Sequence, residues 1–367
     1  NEVAVTGEVK AKAQFYDADG RISTLSFSYL VEQDPTGSGF IPSADEETLI
    51  EFVMNNAQQK IDELSDVDVV DLTLQMAETV IDVTKFGAKG DGVTDDTEAF
   101  AAALAQLKNN SIFKVPDGTF VVSKVTISNK KNCDFYFTGT IKAKNGVDES
   151  SVVSTLLCNG SNFYGLTIDG NRGNVIDRGI AGDQPALAVG KDQKNITFYN
   201  TVISNSIMCG VVYNGLCKNV NFESIEFNNI GEHGFYISGG GNENCHYNNV
   251  TVNGFGQNPL FQINLHECGV FKIRSTLGTA NTTNKNLEFD TVNVIKGNTV
   301  TVVVVFYLMN IIGLKAKNIY SDTDLFVVSD MNVLDVEFDN INTPRVLYSA
   351  TGTPNHNGII LKNSNFS

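Results

Sequence analysis

The last two thirds of the chain repeat a short pattern, and this repeat restricts the fold more than any other feature. Phrases such as "KNITFYNTVISN", "KNVNFESIEFNN" and "KNLEFDTVNVIK" share an apolar residue that is followed by another five places on. The anchors of the repeat are Phe198, Phe222, Tyr247, Phe289, Leu314, Phe338 and Leu361. Successive anchors are separated by 24, 25, 42, 25, 24 and 23 residues. A short period with β-branched and aromatic residues at alternate positions, and without a helical pattern, is typical of a β-solenoid. We therefore predict that residues 127–367 form a parallel β-helix, in which each coil supplies short strands to parallel sheets.

Two intervals in the repeat are longer than one coil and indicate insertions. The interval of 42 residues exceeds a coil by about 17 and places an insertion within residues 254–285. The interval from Gly165, taken as the matching position of the preceding coil, to Phe198 is 33 residues, and its excess is "NRGNVIDRGIAGDQ". Extra residues in a solenoid form loops on one face, and loops on a rigid scaffold often carry binding and catalysis.

The charge balance restricts the partners of the chain. Its 367 residues include 26 basic and 42 acidic side chains, a formal charge of −16 at pH 7. Such a surface repels nucleic acid and anionic membranes, and no apolar run approaches the roughly 20 residues that span a bilayer. Six cysteines without CxxC or Cys/His metal spacing are predicted to be free, mostly buried thiols: Cys133, Cys158, Cys209, Cys217, Cys245 and Cys268.

The first 79 residues differ from the repeat. Residues 1–42 carry alternating segments on either side of "DADGR", a turn sequence, and are predicted to be the C-terminal part of a β-rich domain. Residues 43–79 are predicted to be a linker helix, because Ser43 and Glu46 are spaced as a capping box before an apolar stripe. An oligomeric coil and packing against its own domain both remain open for this helix.

Residues 80–126 lead into the repeat through "GAKGDGVTDD", a stretch rich in glycine and aspartate. It lacks the lysine-serine ending of a phosphate-binding P-loop, so we interpret the glycines as a tight strand-to-helix passage. Asp95 and Glu98 are predicted to satisfy the amides at the start of a helix. Phe100 and Leu104 of this helix are predicted to cover the open end of the first coil.

A family resemblance starts at the same residues. The phrases "VIDVTKFGAKGDGVTDDTEAFAAALAQL", "FKVPDGTFVVSKVTI" and "GLTIDGNR" resemble the first coils of pectate-lyase-like right-handed parallel β-helix proteins, which include glycoside hydrolases, polysaccharide lyases and phage tailspikes. The resemblance covers residues 80–367 and implies an all-β fold: a single-stranded right-handed parallel β-helix with an N-terminal capping helix. It says little about the reaction, because this scaffold carries enzymes and adhesins alike.

A second resemblance covers about 65 residues at the start of the chain. "GEVKAKAQFYDADGRISTLSFSYLVEQDP" and the predicted helix after it resemble the end of the N-terminal domain of baseplate upper proteins of phages that infect Gram-positive bacteria. This resemblance implies a phage or prophage tail protein, assembled in the bacterial cytoplasm and exposed on the virion. The expected partners are other tail and baseplate proteins, two identical copies in a homotrimer, and a bacterial surface polysaccharide or teichoic acid.

The insertions and turns of neighbouring coils are expected to meet at one edge of the solenoid, where acids, histidines and arginines converge. The candidate catalytic residues are Asp169, Asp183, Glu232 and His233. The candidate substrate-binding residues are Asn171, Arg172, Asp177, Arg178, His266 and Glu267. A glycoside hydrolase needs two carboxyl groups about 5 to 10 Å apart, whereas a lyase needs a base and a cation or arginine that stabilises an anion.

Structural roles compete with these assignments. Asp169 in "TIDGN" is also typical of a turn. A ladder of left-handed residues is an alternative role for four asparagines, Asn171, Asn205, Asn228 and Asn253. A solvated corner would explain Glu232 and His233 as well. Polygalacturonase-type hydrolases of the family show "NTD", "DD", "GHG" and "RIK" motifs, of which this chain offers only "EHG" at 232–234 and "KIR" at 272–274. That particular reaction is therefore disfavoured.

The sequence leaves three functions open. The first is a tail protein that recognises a surface glycan, with or without depolymerising it. The second is a purely structural or adhesive tail trimer, and the third is a secreted polysaccharide lyase or glycoside hydrolase. No cofactor and no metal site are predicted. The sequence leaves open a role for a bridging divalent cation such as calcium, because an acidic groove disfavours binding of a polyanionic glycan without such a cation.

Overall fold

The computed structural model describes residues 7–17, 20–31, 80–179, 184–258, 268–275, 283–297, 303–328, 332–346 and 356–366. The chain divides into two compact units, residues 1–72 and 73–367. In the first unit, β1 (Gly7–Asp17) and β2 (Gly20–Val31) form an antiparallel hairpin. The predicted linker helix at 43–79 lies outside the described residues, and the boundaries of the domains stay predictions.

The second unit is built almost entirely from strands. In chain order its elements are β3 (Val80–Asp82), a 3-10 helix (Val83–Phe86), β4 (Asp91–Asp95), α1 (Thr97–Gln106), β5 (Ile112–Val115), β6 (Thr119–Val122), β7 (Val125–Ser128), β8 (Asp134–Phe137), β9 (Thr140–Ala143), β10 (Val153–Leu156), β11 (Asn162–Tyr164), β12 (Thr167–Asp169), β13 (Leu187–Val189), β14 (Lys194–Ser204), β15 (Val211–Tyr213), β16 (Lys218–Asn228), β17 (Phe235–Ile237), β18 (Glu243–Asn253), β19 (Cys268–Ile273), β20 (Asn284–Ile295), β21 (Val303–Leu308), β22 (Ile311–Ser321), β23 (Asp324–Val328), β24 (Val333–Thr343), β25 (His356–Lys362) and β26 (Asn365–Phe366). Among the helices described, none is long and apolar enough to cross a membrane.

The strands of the second unit form two parallel sheets that run along the solenoid. The short sheet contains eight strands in the order β23-β21-β19-β17-β15-β13-β10-β7. The long sheet contains sixteen strands, and its main path runs from β25 through β24, β22, β20, β18, β16 and β14 to β3. Successive coils therefore pair in parallel, and the predicted parallel β-helix is confirmed.

Each long strand has two alternating arms that meet at a bend. In β14, Ile196, Phe198 and Ile203 are fully buried, while Asn200 between them has a left-handed backbone with φ 51°. The left-handed residue interrupts the alternation by one position, so that side chains on both arms of the strand point into the solenoid. The residues at this bend in the six long strands are Asn200, Ser224, Asn249, Thr291, Asn318 and Asn340.

An aromatic stack fills the interior. Consecutive coils place Phe113, Phe135, Phe163, Phe198, Phe222, Tyr247 and Phe289 above one another. The ring centroids of Phe163 and Phe198 are 4.6 Å apart, and those of Phe198 and Phe222 are also 4.6 Å apart. Stacked rings and aliphatic neighbours exclude water from the solenoid along its length.

The observed register corrects two positions of the predicted repeat. Phe289 pairs with Ala316 and not with Leu314, which pairs with Leu287. Phe163, and not Gly165, is the partner of Phe198. Residues two apart in a strand point to the same side, so sequence matching selected the larger apolar residue, Leu314, in one coil. In the other coil it selected Gly165, a left-handed residue with φ 71° that directly follows the pair Tyr164 and Tyr199.

The glycine-rich stretch before α1 folds around its aspartates. Asp96, which is 2% exposed, occupies the N-cap position of α1, yet its carboxylate accepts the N–H groups of Lys89 at 2.6 Å and Gly90 at 3.1 Å. Asp95 accepts the N–H of Thr97, the first residue of α1, at 3.1 Å. The prediction that Asp95 caps the helix is therefore correct for the N–H of Thr97, but the residue at the N-cap position is Asp96.

Helix α1 covers the end of the solenoid as predicted. Phe100 is 1% exposed, and its ring centroid lies 6.3 Å from that of Phe113 and 5.7 Å from that of Phe120. Leu104 is also buried. These side chains protect the apolar interior of the first coil from water.

Candidate functional site

Four segments from neighbouring coils lie side by side at the edge that follows the long strands; we call this edge the corner. The segments are residues 171–177, 205–210, 229–234 and 254–258. The N–H of Arg172 donates to the carbonyl of Asn205 at 3.0 Å, and that of Gly231 donates to Ser206 at 3.1 Å. The N–H of Asn258 in turn donates to the carbonyl of Gly231 at 2.8 Å. The segments that the sequence predicted to be neighbours are thus joined by backbone hydrogen bonds.

A depression of about 360 Å³, the corner pocket, lies among these segments. Its lining residues are Arg172, Gly173, Val175, Asp177, Ile207, Gln257 and Asn258. Two of the predicted substrate-binding residues, Arg172 and Asp177, are among them. Among the described residues of this lining Asp177 is the single carboxylate, so these residues do not by themselves supply the carboxyl pair that glycoside hydrolysis requires.

Arg172 is fixed in the wall of the pocket by the next two coils. Its Nη1 lies 3.5 Å from the carbonyl oxygen of Ser206, and its Nη2 donates to Oδ1 of Asn229. Burial lowers the pKa of Arg172 from its usual value, but an arginine side chain remains protonated in proteins. The pocket therefore carries a positioned cation with five donor hydrogens, of which only some are used.

Asp177 joins the two loops that border the pocket. Its Oδ1 accepts the N–H of Gly179 at 2.8 Å, and its Oδ2 accepts Nδ2 of Asn258 at 2.8 Å. The same Nδ2 lies 3.1 Å from the carbonyl oxygen of Ile207. These bonds hold the first insertion against the loop that follows β18.

Glu232 and His233 are placed behind the surface of the corner. They are 6% and 1% exposed, and Nε2 of His233 lies 3.1 Å from Oε1 of Glu232. Nδ1 of His233 lies 3.0 Å from the carbonyl oxygen of Gly269, and Sγ of Cys209 donates to Oε2 of Glu232 at 3.6 Å. Burial, together with the charge of Glu232, raises the pKa of the Cys209 thiol well above its usual value. The pair is therefore held inside the corner and is not the solvated corner considered from sequence.

Asp169 and Asn171 form the turn at which the first insertion begins. Oδ1 of Asp169 accepts the N–H of Asn171 at 2.9 Å and Nδ2 of Asn205 at 3.1 Å. Asn171 is buried in a left-handed conformation with φ 52°, and its Nδ2 donates to the carbonyl of Ala143 at 2.8 Å. Both side chains are engaged within the fold, which supports the turn-forming role weighed for Asp169.

The remaining candidates lie apart from the pocket or outside the described residues. Nε of Arg178 forms an ion pair with Asp148 at 3.1 Å and does not line the pocket. Asp183, His266 and Glu267 lie outside the described residues, so their roles stay predictions. Within the described part, no group of three or more His, Cys, Asp and Glu side chains is arranged to hold a metal ion, and the expectation of no cofactor stays a prediction.

Sequence reasoning missed several residues of the corner. The left-handed asparagines of the corner are Asn171, Asn205 and Asn229, with φ 52°, 51° and 60°. Of the predicted ladder residues, Asn228 instead ends β16 and Asn253 ends β18. The doublet Asn228-Asn229 left this choice open in the sequence. Gln257 and Asn258 carried no local signal beyond their position in a long interval, because their contacts are made with other coils.

Comparison with known proteins identifies the family. The family model described as rhamnogalacturonase A/epimerase, pectate lyase-like, matches residues 80–311, well over half of the chain. The chain belongs to this family. The resemblance found in residues 80 onward is thereby confirmed.

Solved structures share the fold at low sequence identity. ORF18 of Geobacillus virus E2 is 13% identical, with a TM-score of 0.53 over 82% of this chain and 64% of that chain. The A-module of mannuronan C-5 epimerase AlgE4 of Azotobacter vinelandii is 12% identical, with a TM-score of 0.51 over 77% of this chain and 76% of that one. PfbA, a surface adhesin of Streptococcus pneumoniae, is 15% identical, with a TM-score of 0.50 over 78% of this chain and 81% of its own. At these identities the likeness shows the fold alone.

A curated relative covers only a small part of the chain. The non-secreted LysM effector LysM19 of Penicillium expansum is 50% identical over 44 residues, which are 12% of this chain and 4% of that protein. This chain therefore spans a minor part of the curated relative and somewhat less than two thirds of the Geobacillus virus protein.

Proposed function

We propose that the chain binds a bacterial surface polysaccharide at the corner pocket. Membership of the pectate-lyase-like family supports a function in binding or degrading carbohydrate. The observation that carries the proposal is the lining of the pocket: a fixed guanidinium, one carboxylate, two amides and the apolar side chains of Val175 and Ile207. Sugars present hydroxyl groups to such polar side chains and C–H groups to apolar ones, and a few polar groups in a concave site set specificity.

The proposed setting is the tail or baseplate of a phage or prophage, with the chain as a homotrimer attached to other tail proteins. The resemblance of residues 1–65 to baseplate upper proteins motivates this setting, and the likeness to a Geobacillus virus protein agrees with it. Antibody labelling of virions tests the location. A chain found in the culture medium and absent from virions would favour the secreted alternative, and sedimentation velocity of the full chain tests the trimer.

Binding is tested with the native full-length chain on a glycan array and on polysaccharide purified from bacterial surfaces. Arg172→Ala is expected to weaken binding about tenfold or more, because a charge-assisted contact is lost. Asp177→Asn removes the charge and one of the two acceptor oxygens, so that either the bond from Gly179 or the bond from Asn258 is lost. The expected loss of binding is smaller than for Arg172→Ala, because the side chain keeps its shape and one acceptor. Arg345→Ala is the matched control, because the exposed Arg345 lies in a distant coil, where it pairs with Asp324. Its thermal unfolding is checked as well, since Asp324 itself is buried.

Two outcomes would overturn this proposal. Absence of binding to every surface polymer would remove the function itself. Equal binding by the wild type, Arg172→Ala and Asp177→Asn would move the site away from the corner pocket.

Depolymerisation is the second candidate function, favoured by the family and by the buried contact between Glu232 and His233. The test is incubation of the bound polymer with the chain, followed by assays for new reducing ends and for unsaturated sugars. Cleavage that is abolished in Glu232→Gln while binding persists would establish catalysis at the corner. Binding without either product would leave the adhesive tail protein as the function.

A further inference from the structure

A second depression, the sheet groove, lies on the outer surface of the long sheet, in the arm of each strand before its bend. It measures about 420 Å³ and runs across β16, β18, β20, β22 and β24. These strands enter the corner only after their second arm, beyond Asn228 and Asn253. The sheet groove is thus separate from the corner pocket.

Across β20, β22 and β24 the charges in the sheet groove change sign from one strand to the next. The register places Glu288 beside Lys315 and Lys315 beside Glu337 in one row, and Asp290 beside Lys317 and Lys317 beside Asp339 in the other. An acidic pair on β20 is therefore followed by a lysine pair on β22 and an acidic pair on β24. Because neighbouring strands are about 4.8 Å apart, the acidic pairs are about 10 Å apart with the lysines between them.

The charges are only partly satisfied within the sheet. Nζ of Lys317 lies 2.9 Å from Oδ2 of Asp290, and both side chains remain open to solvent, at 60% and 33% exposure. Lys315 lines the groove and forms no ion pair with any residue that the structure describes. Exposed ion pairs are individually weak, so these groups can exchange partners with a ligand at little cost.

The pattern limits what can occupy the groove. Three parallel copies make heterologous contacts around a threefold axis, and the same strand of each copy meets only at the axis itself. A groove placed at the axis would bring like charges together, which is unfavourable. Two antiparallel copies could match acids with lysines, but two concave surfaces would leave the groove empty between them. A slender chain that lies along the solenoid axis fills the concavity and meets each charged pair in turn.

We propose that the sheet groove binds an extended polymer that carries both amino and acidic groups along its length. The acidic pairs on β20 and β24 receive amino groups, and the lysines on β22 receive a phosphate or carboxylate between them. Five carboxylates line the groove against two lysines, so the amino groups of the ligand contribute the larger share of the attraction. This site does not depend on saccharide binding at the corner pocket.

The test measures binding of the native full-length chain to a polyol phosphate polymer that carries aminoacyl esters. The same polymer after removal of the esters, chitosan oligomers with amino groups only, and oligogalacturonate with acidic groups only are the comparison ligands. The expected order places the ester-bearing polymer first, with binding that weakens as salt rises.

Charge reversal identifies the groove. The pair Lys315→Glu with Lys317→Glu, and the pair Glu288→Lys with Asp290→Lys, are each expected to weaken binding about tenfold. The four changes together restore opposite charges between β20 and β22, although the new acids on β22 then lie beside those on β24, and they are expected to recover part of the binding. Lys194→Glu with Lys285→Glu is the control, because both lysines are exposed on the same sheet and neither lines the groove. Thermal unfolding of each variant checks that the fold is retained.

Three results would overturn the proposal. Equal binding by all charge variants would place the polymer elsewhere. Equal binding of chitosan and the ester-bearing polymer would show that acidic groups are not recognised. A dimer of the free chain that the lysine reversals dissociate, without polymer binding, would identify a second copy as the occupant.

Discussion

The capping loop, residues 87–97, and the corner are both rich in glycine and in charged side chains, yet they use them differently. In the capping loop, Asp91 accepts the N–H groups of Val93 at 2.9 Å and Thr94 at 2.7 Å, and Asp96 accepts two more from the loop. In the corner, Arg172 and Asp177 border a pocket. Residue type and neighbouring glycines therefore do not distinguish a candidate site from a structural turn. The distinguishing feature is a cavity beside the charged side chain.

The two regions also differ in how their ionisable groups are held. Hydrogen bonds from Thr94 and Val93 lower the pKa of Asp91 to about 2. A hydrogen bond from Lys144, followed by one from Thr97, lowers the pKa of Asp95 to about 2. In the corner, burial raises the pKa of the Cys209 thiol. The capping loop thus favours the ionised forms of Asp91 and Asp95, whereas the interior of the corner disfavours the ionised form of the Cys209 thiol.

The largest effect is expected from Asp96→Ala in the capping loop. The substitution removes two charge-assisted hydrogen bonds in a partly buried place, those from the N–H groups of Lys89 and Gly90, which costs about 2–4 kcal/mol of unfolding free energy. Urea denaturation followed by circular dichroism measures this loss. Asp91→Ala is the control, because Asp91 is exposed and its loss is expected to be below about 1 kcal/mol. Equal losses for the two variants would contradict the structural role of Asp96.

A smaller effect is expected from Gly231→Ala in the corner. The added Cβ would lie 1.9 Å from the carbonyl oxygen of Ile207, so two turns must separate at a cost of about 1–3 kcal/mol. Because Ile207 lines the corner pocket, polysaccharide binding should fall together with stability. At Gly234 the nearest atom is 3.0 Å away, so Gly234→Ala should cost less. A Gly231→Ala variant with unchanged melting temperature and binding would show that the turns at the corner are not tightly packed.

The smallest effect is expected from acid in the capping loop. Folding lowers the pKa of Asp91 and Asp95 from 3.8 to about 2, so their ionised forms stabilise the fold above pH 3.8. This contribution is lost as the pH falls towards 2. Melting temperatures at pH 5, 3 and 2 should therefore fall more steeply for the wild type than for the double variant Asp91→Asn with Asp95→Asn. Parallel curves would mean that the hydrogen bonds of these carboxylates do not persist in solution.

The sequence predicted the features that depend on the local repeat. It did not predict contacts that are made between residues of different coils. The repeat predicted the parallel β-helix, and the spacing of Phe100 and Leu104 predicted the covering helix. The choice between Leu314 and Ala316 could not be made, because both lie on the inward side of one strand. Asp96 directly precedes the predicted helix in the sequence, and only the fold brings its carboxylate to the N–H groups of Lys89 and Gly90.

The corner was predictable as a place but not as a chemical arrangement. Long intervals in the repeat indicated where loops would gather. They could not show that Glu232 is enclosed while Asp177 faces a pocket, because enclosure depends on Cys209 and Gly269 from adjoining coils. Polar residues of a solenoid obtain their surroundings from the coils above and below, about one period away in sequence.

The bend in the long strands has a consequence for how the molecule comes apart. Four of the six long strands place asparagine at the left-handed bend, but Thr291 occupies it in β20 with φ 52°. A β-branched residue tolerates this conformation poorly. Since each coil of a solenoid is stabilised by its two neighbours alone, one costly bend lowers the free energy of local opening for its own coil. The coil at β20 is therefore expected to open more readily than the flanking coils at β18 and β22, which bend at asparagine, and its amides should exchange faster than theirs.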